Sequence, residues 1–292
     1  MSHPVPAAAA PEVPMPTVFI RPTKGWASLG FRDVAEYREL LFFLSWRDIK
    51  VRYKQTLLGA LWAILQPILA TIIFTVFFGN LARVGSDGLP YPVFAFAGLL
   101  PWNLFAAALG HSADSLVGSS NLIRKVYFPR VLVPASTVLA SFADFWVAFA
   151  ILFVLFFHYK IALTAALFLA PLFALLAAGT ALGGGLWLSA LNVQYRDVRH
   201  VVPFFVQMWL FVTPVIYPSS RVTAKLAEHG LPVWLYGLNP MAGAVEGFRW
   251  AVFGRGPLNP SLLLTSVIVT VVLLVTGFLY FRRTERYFAD VV

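Results

Sequence analysis

Four basic side chains, Arg47, Lys50, Arg52 and Lys54, stand immediately before a charge-free apolar stretch that begins at Leu57. At about 100° per residue, Arg47, Lys50 and Lys54 gather on one helical face, next to a stripe made of Tyr37, Leu40, Leu41, Leu44 and Val51. A guanidinium forks two phosphate oxygens and an ammonium adds a point charge, so this face suits an anionic lipid headgroup. Trp46 and Tyr53 have the amphipathic rings of headgroup-level anchors. Two roles are open to the tract. It is a topology anchor, each basic residue adding on the order of 1 kcal/mol of attraction to anionic lipid, or it is a site for a lipid-linked phosphate or diphosphate.

The remaining reactive groups are sparse. Asp144 lies near the middle of the apolar run Val131 to Phe157, where a carboxylate costs a few kcal/mol unless it is protonated or paired. With Ser141 one turn earlier, it suits hydrogen bonding to another helix; a proton relay would need further acids or bases inside the spans, and the sequence has none there. Glu246 and Arg249 are spaced to pair within one helix. Arginine does not exchange protons near neutrality, so they form a structural pair, not a catalytic dyad. There is no GxSxG, HExxH or phosphate-loop motif, no cysteine, and only five scattered histidines. No catalytic residue and no metal ligand set can be named. Whatever work the chain does is driven by a gradient or by a partner.

The elements that position these groups are membrane helices. Hydrophobic residues make up 59% of the 292 and charged ones 12%, which leaves too little polar surface to coat a domain in water. The net charge of +9 resides almost wholly between the apolar blocks, which suits anionic lipid and not nucleic acid. A hydrocarbon core of about 30 Å needs roughly 20 apolar residues. Six segments qualify as spans: 57–78, 93–109, 131–157, 161–191, 201–217 and 262–281, preceded by an amphipathic interfacial helix at 33–54. Residues 1–30 are proline-rich and lack the basic and apolar regions of a secretory signal, so they read as a disordered cytoplasmic tail, with residues 31–292 as one transmembrane domain. Sixteen of the 22 Lys and Arg fall in alternate connecting segments that include both ends of the chain. The positive-inside bias places both termini in the cytoplasm.

Residues 231–253 are apolar but broken by Pro232, Asn239, Pro240 and Gly243. If they spanned, the basic C-terminus FRRTERYF would fall outside. A re-entrant pair of short helices in the outer leaflet, bent around Asn239 and Pro240, fits better, with protein or water around its non-helical backbone. The run Gly183 to Gly185 reads as close helix packing. Two inward loops, Ser112 to Pro129 and Asn192 to His200, are either solvated turns or short rigid levers for a partner.

Six pieces in order resemble the permease subunit of type 2 ABC exporters, in the branch that exports O-antigen, capsule or teichoic acid chains. They are RYKQTLLGALWAILQP (52–67), NLIRKVYFPR (121–130), NVQYRDVRH (192–200), TPVIYP (213–218), LNPMAGAVEGFRW (238–250) and FRRTERYFADV (281–291). The resemblance implies a homodimeric permease in a bacterial inner membrane that assembles with two copies of an ATPase subunit. That subunit would hold ATP and Mg, with no cofactor in this chain, and the cargo would be a lipid-linked polysaccharide. It further implies that Arg47, Lys50, Arg52 and Lys54 receive a polyprenyl diphosphate head. Ser112, Asp114, Asn121, Arg124, Lys125, Tyr195, Arg196, Asp197 and Arg199 would couple to the ATPase. Trp234, Asn239, Pro240, Glu246 and Arg249 would belong to a periplasmic gate. Trp62, Phe74, Phe77, Trp102 and Trp209 are channel-lining candidates, because sugar rings slide along aromatic faces. A drug or simple-lipid exporter of the same fold, a polyprenyl-phosphate enzyme and a passive channel are the competing classes; the enzyme needs clustered acids or histidines that the sequence lacks.

Overall fold

The computed structural model describes residues 36–54, 59–256 and 258–291. The predicted tail, the first residues of the interfacial helix from Asp33 and the start of the first span at Leu57 lie outside them. All regular secondary structure among the described residues is helical, without a strand. In chain order the helices are α1 (Arg38–Lys54), α2 (Gly59–Phe74, continued by the wider π turn Thr75–Leu81), α3 (Tyr91–Gly118), α4 (Ser120–Lys125), α5 (Leu132–His158) and α6 (Ala170–Gln194, entered through the 3-10 turn Ala165–Leu169). There follow α7 (Val198–Val212), α8 (Ser219–Glu228), the 3-10 turn Val233–Leu238, α9 (Pro240–Phe253) and α10 (Pro260–Val291).

Five segments are long and apolar enough to cross a membrane: Leu61–Leu81, Tyr91–Gly118, Leu132–His158, Ala165–Gln194 and Pro260–Glu285. The segment expected at 201–217 is shorter than a span. Pro214 disfavours helical backbone in the residue before it, and α7 stops at Val212 after 15 residues, about 22 Å at 1.5 Å per residue. The segment expected at 93–109 is longer. Pro92 sits in the first turn, where no amide partner is lost, Pro101 is carried inside the helix, and the chain stays helical through Ser112, Asp114 and Ser115 as far as Gly118.

α3 is apolar on all sides and forms the axis of the bundle. Val93, Phe96, Leu104 and Phe105 are buried on it, and α2, α5, α6, α7 and α9 pack around it. A helix hydrophobic all round belongs inside. The outer helices leave apolar faces open: Leu65, Leu69 and Ile72 on α2, Phe204 and Met208 on α7, and Leu264 and Val271 on α10 are exposed. A second core lies at the end of the bundle that carries α4. There Leu44 of α1 meets Leu116, Ile123, Leu132, Phe281 and Phe288.

α6 and α10 touch backbone to backbone. A Cβ added at Gly183 would lie 2.7 Å from the Leu273 carbonyl carbon, and one at Gly277 would lie 2.4 Å from the Gly183 carbonyl oxygen. Thr180 and Thr270 share a hydrogen bond of 2.9 Å beside this crossing, and the Trp187 and Tyr280 rings stack at 4.1 Å. Small residues permit such an approach where lipid supplies no hydrophobic drive between helices.

Candidate functional site

The basic helix α1 carries its charges on two sides. Arg47, Lys50 and Lys54 are exposed. Arg47 pairs with Asp48 at 2.8 Å, and the Lys50 ammonium stands 5.7 Å from the centre of the Trp46 ring. Arg52 turns the other way, toward α5. Its guanidinium forms an ion pair with Asp144, and the Tyr53 hydroxyl donates to the second oxygen of the same carboxylate. Eight residues earlier on α5, Ser136 donates to Asp48 at 3.2 Å.

Several expectations change here. Trp46 is exposed, whereas Tyr53 is a partly buried donor to Asp144. Burial, and then the Asp144 carboxylate, hold its phenol above the ordinary range, so it keeps its proton. Of the predicted apolar stripe, Tyr37, Leu40, Leu41 and Leu44 pack against the second core, but Val51 is exposed. Phe42 and Phe43, 65% and 66% exposed, form a second apolar face. Four of the five stripe residues are therefore covered by protein, and these phenylalanines stand exposed beside them. Asp144 finds its partners on α1; Ser141 bonds to the Thr137 carbonyl of its own helix.

The two candidate coupling loops meet at one end of the bundle. Asn192, at the end of α6, donates to the Ala113 carbonyl at 3.1 Å and to the Asp114 carboxylate at 3.0 Å. Asn121, Arg124 and Lys125 are exposed on or beside α4's outer side, and Tyr195, Arg196, Asp197 and Arg199 are exposed around the α6–α7 turn. Ser112 is not part of this surface. It is fully buried, and a Cβ at Gly185 would meet its hydroxyl at 2.3 Å, so it is a packing residue between α3 and α6.

At the opposite end the broken segments are tied together. Asn239 caps α9 by accepting from the Met241 amide, accepts from the Trp209 indole at 3.0 Å and donates to Thr213 at 3.0 Å. Pro240 occupies the first turn of α9, and Trp234 is exposed on the preceding 3-10 turn. Arg249 is buried and donates to the carbonyls of Phe94 (3.3 Å), Pro214 and Val215, its guanidinium 3.6 Å from the centre of the Phe94 ring. This corrects the expected Glu246–Arg249 pair. α7 ends before Pro214, and the carbonyls of Pro214 and Val215 in the non-helical segment that follows are met by Arg249. Glu246 makes no direct ion pair with Arg249, although both line one cavity of about 350 Å³ with Asp87, Ser219, Trp250, Arg255 and Asn259.

The aromatic candidates also separate. Trp62 and Phe77 are exposed on α2, while Phe74 is half-buried against Phe78. Trp102 is a core residue, 3% exposed and packed on Phe105, so it lines no channel within this protomer. Trp209 sits between Phe105 and Phe205 with its indole on Asn239. Sequence reasoning missed Asp48 and Gly98. The first was hidden by its basic neighbours. The second leaves room for the Arg249 guanidinium, which would come within 2.3 Å of an added Cβ. Among the described residues no three His, Asp or Glu side chains converge to hold a metal.

Comparison with known proteins gives a consistent result. Residues 39–253 match the family described as ABC-2 type transporter. The chain is similar to the O-antigen export system permease protein RfbA of Myxococcus xanthus, with 30% identity over 259 residues that cover 89% of this chain and 97% of that one. It is also similar to RfbA of Klebsiella pneumoniae, 28% identical over 87% of this chain and 95% of the relative. The polysialic acid transport protein KpsM of Escherichia coli is 25% identical over 89% and 98%.

Proposed function

The chain belongs to the ABC-2 type transporter family, and from that premise we propose that it is the membrane permease through which an ATP-driven exporter passes lipid-linked polysaccharide of the O-antigen kind. It is a transport subunit and not an enzyme, a multi-pass membrane protein that works with an ATPase partner. The names of its relatives support a polysaccharide cargo. In this reading two copies of the permease and two ATPase subunits form the working unit, in the bacterial inner membrane, with both termini in the cytoplasm. α7 completes a sixth crossing together with the non-helical Thr213–Pro218 segment. The Val233–Leu238 turn and α9 form a re-entrant hairpin that gates the outer side. Exposed Trp62 and Phe77 are the best placed of the aromatic candidates to face a sugar path between two copies.

The observation that carries the loading step is the exposed trio Arg47, Lys50 and Lys54 beside Trp46, on a helix fastened to the bundle. A fastened helix holds the backbone that carries these cations in place, so less freedom is lost on meeting a diphosphate than from a mobile segment. The double variant Arg47→Glu/Lys50→Glu is expected to lower surface polysaccharide by at least about tenfold, since reversing charges turns attraction into repulsion. Membrane insertion and co-purification with the ATPase should persist. Surface polysaccharide at the wild-type level in that variant would rule out docking there.

The loops joined by Asn192 form the surface that receives motion from the ATPase. Asn192→Leu keeps side-chain volume but leaves the Ala113 carbonyl and Asp114 without this partner, a loss of about 1–3 kcal/mol. It is expected to lower transport per ATP hydrolysed several-fold while the ATPase remains bound. An unchanged ratio of glycan exported to ATP consumed would show that the loops move independently.

A further inference from the structure

Both oxygens of Asp144 are taken by α1, one by the Arg52 guanidinium and the other by the Tyr53 hydroxyl. The pair is not sealed. The side chains of Arg52 and Asp144 are 26% and 29% exposed, so an anion can reach the guanidinium where the carboxylate now holds it. The other cations of the helix remain exposed on its outer side.

We propose that Asp144 is a resident counter-anion that a diphosphate headgroup must displace from Arg52, so that it sets the selectivity of the loading site. This rests on the reading that the basic helix receives a lipid-linked diphosphate. A basic patch in a membrane protein meets anionic phospholipid, each molecule bringing about one phosphodiester charge. Against these Asp144 has the advantage of being tethered. It competes for Arg52 at the high effective concentration of an intramolecular partner. A phosphodiester offers little more than the carboxylate it would replace. A diphosphate brings more charge and more acceptor oxygens to the guanidinium than one phosphodiester does. Asp144 is therefore a positioning residue acting through Arg52. Its release also removes one of the ties between α1 and α5, leaving Asp48–Ser136 and the Leu44 contacts in place.

The test measures binding of farnesyl diphosphate to the permease–ATPase complex in phosphatidylcholine nanodiscs, with and without phosphatidylglycerol as competitor. Wild-type protein should prefer the diphosphate. Asp144→Asn, which keeps the shape of the side chain, should bind farnesyl diphosphate more tightly by on the order of tenfold, the worth of one charge-assisted bond. It should also let phosphatidylglycerol compete. A purely structural role would leave affinity unchanged or lower it, and either result overturns the proposal. Arg52→Gln/Asp144→Asn removes both charges without stranding either, so it covers the case in which Asp144→Asn alone does not fold. It should bind as Arg52→Gln does, and a further gain from Asp144→Asn in the Arg52→Gln background would overturn the exchange. Inorganic diphosphate should bind more weakly than the lipid form; equal binding would contradict a headgroup site. Farnesyl diphosphate binding that is indifferent to Arg47→Glu/Lys50→Glu refutes the loading site itself. Binding that depends on those residues but not on Asp144 refutes the exchange alone.

Discussion

Replacing Arg249 with leucine is expected to eliminate most of the folded permease. The guanidinium meets the carbonyls of Phe94, Pro214 and Val215 and lies on the Phe94 ring. Leucine reaches none of them as a donor. A buried acceptor without a partner costs about 1–3 kcal/mol. The Phe94 carbonyl keeps its helical amide inside α3, so the two losses at Pro214 and Val215 amount to a few kcal/mol against a typical net stability of about 5–15 kcal/mol. Lysine rescues little, because one ammonium cannot fan out to three carbonyls as a planar fork does. Gly98→Ala should act in the same direction more mildly, since its Cβ would press on the same guanidinium. Fluorescence-detected gel filtration and thermal unfolding of the detergent-extracted protein measure the effect. A monodisperse Arg249→Leu protein with the wild-type Tm would show that the broken end of α7 holds its shape unaided.

The second large effect is expected at the α6–α10 crossing. Gly277→Val would drive a side chain into the Gly183 carbonyl at 2.4 Å, and Gly183→Val would meet Leu273 and Leu274 backbone at 2.7 and 2.8 Å. No rotamer relieves a contact between Cβ and backbone, so the helices must separate. That opens the Thr180–Thr270 hydrogen bond and the Trp187–Tyr280 stack. Overpacking of well-packed sites costs about 1–3 kcal/mol, and more when backbone must move. Gly184→Ala is the control, because its Cβ would meet only the tip of Leu109 at 3.1 Å. The valine variants should give little extractable protein and the alanine control a wild-type yield. Equal yields for all three would mean that α6 and α10 are not held at this distance in the membrane.

These residues differ in how far they can be read without coordinates. The Gly183–Gly185 run announces close packing, because only one role suits three glycines in an apolar helix. The bend at Asn239 and Pro240 is equally legible: a capping side chain followed by proline starts a helix, and α9 begins there with Asn239 accepting from Met241. The exposed cations of α1 follow from spacing alone. Arg249 misleads, because its i,i+3 spacing from Glu246 advertises a local pair. Its actual partners are carbonyls up to 155 residues away. Arg52 misleads in the same way: sequence groups it with its basic neighbours, and the fold gives it to a carboxylate 92 residues on. The short extent of α7 was written in Pro214, but hydropathy ran past it to Tyr217.

What the sequence determined by itself is therefore the class of protein, its apolar segments, its charge asymmetry and the places where helices must start or stop. Each of these depends on properties summed along a local stretch of chain: apolar length against bilayer thickness, the missing amide of proline, the period of a helix. What only the tertiary structure decided is which buried or half-buried polar group answers which other: Asp144 with Arg52 and Tyr53, Arg249 with the Pro214 and Val215 carbonyls, Asn192 with Asp114. The physical reason is that a polar group withdrawn from water takes whichever complementary group packing brings within about 3 Å, and helix packing selects that neighbour with no regard for distance along the chain.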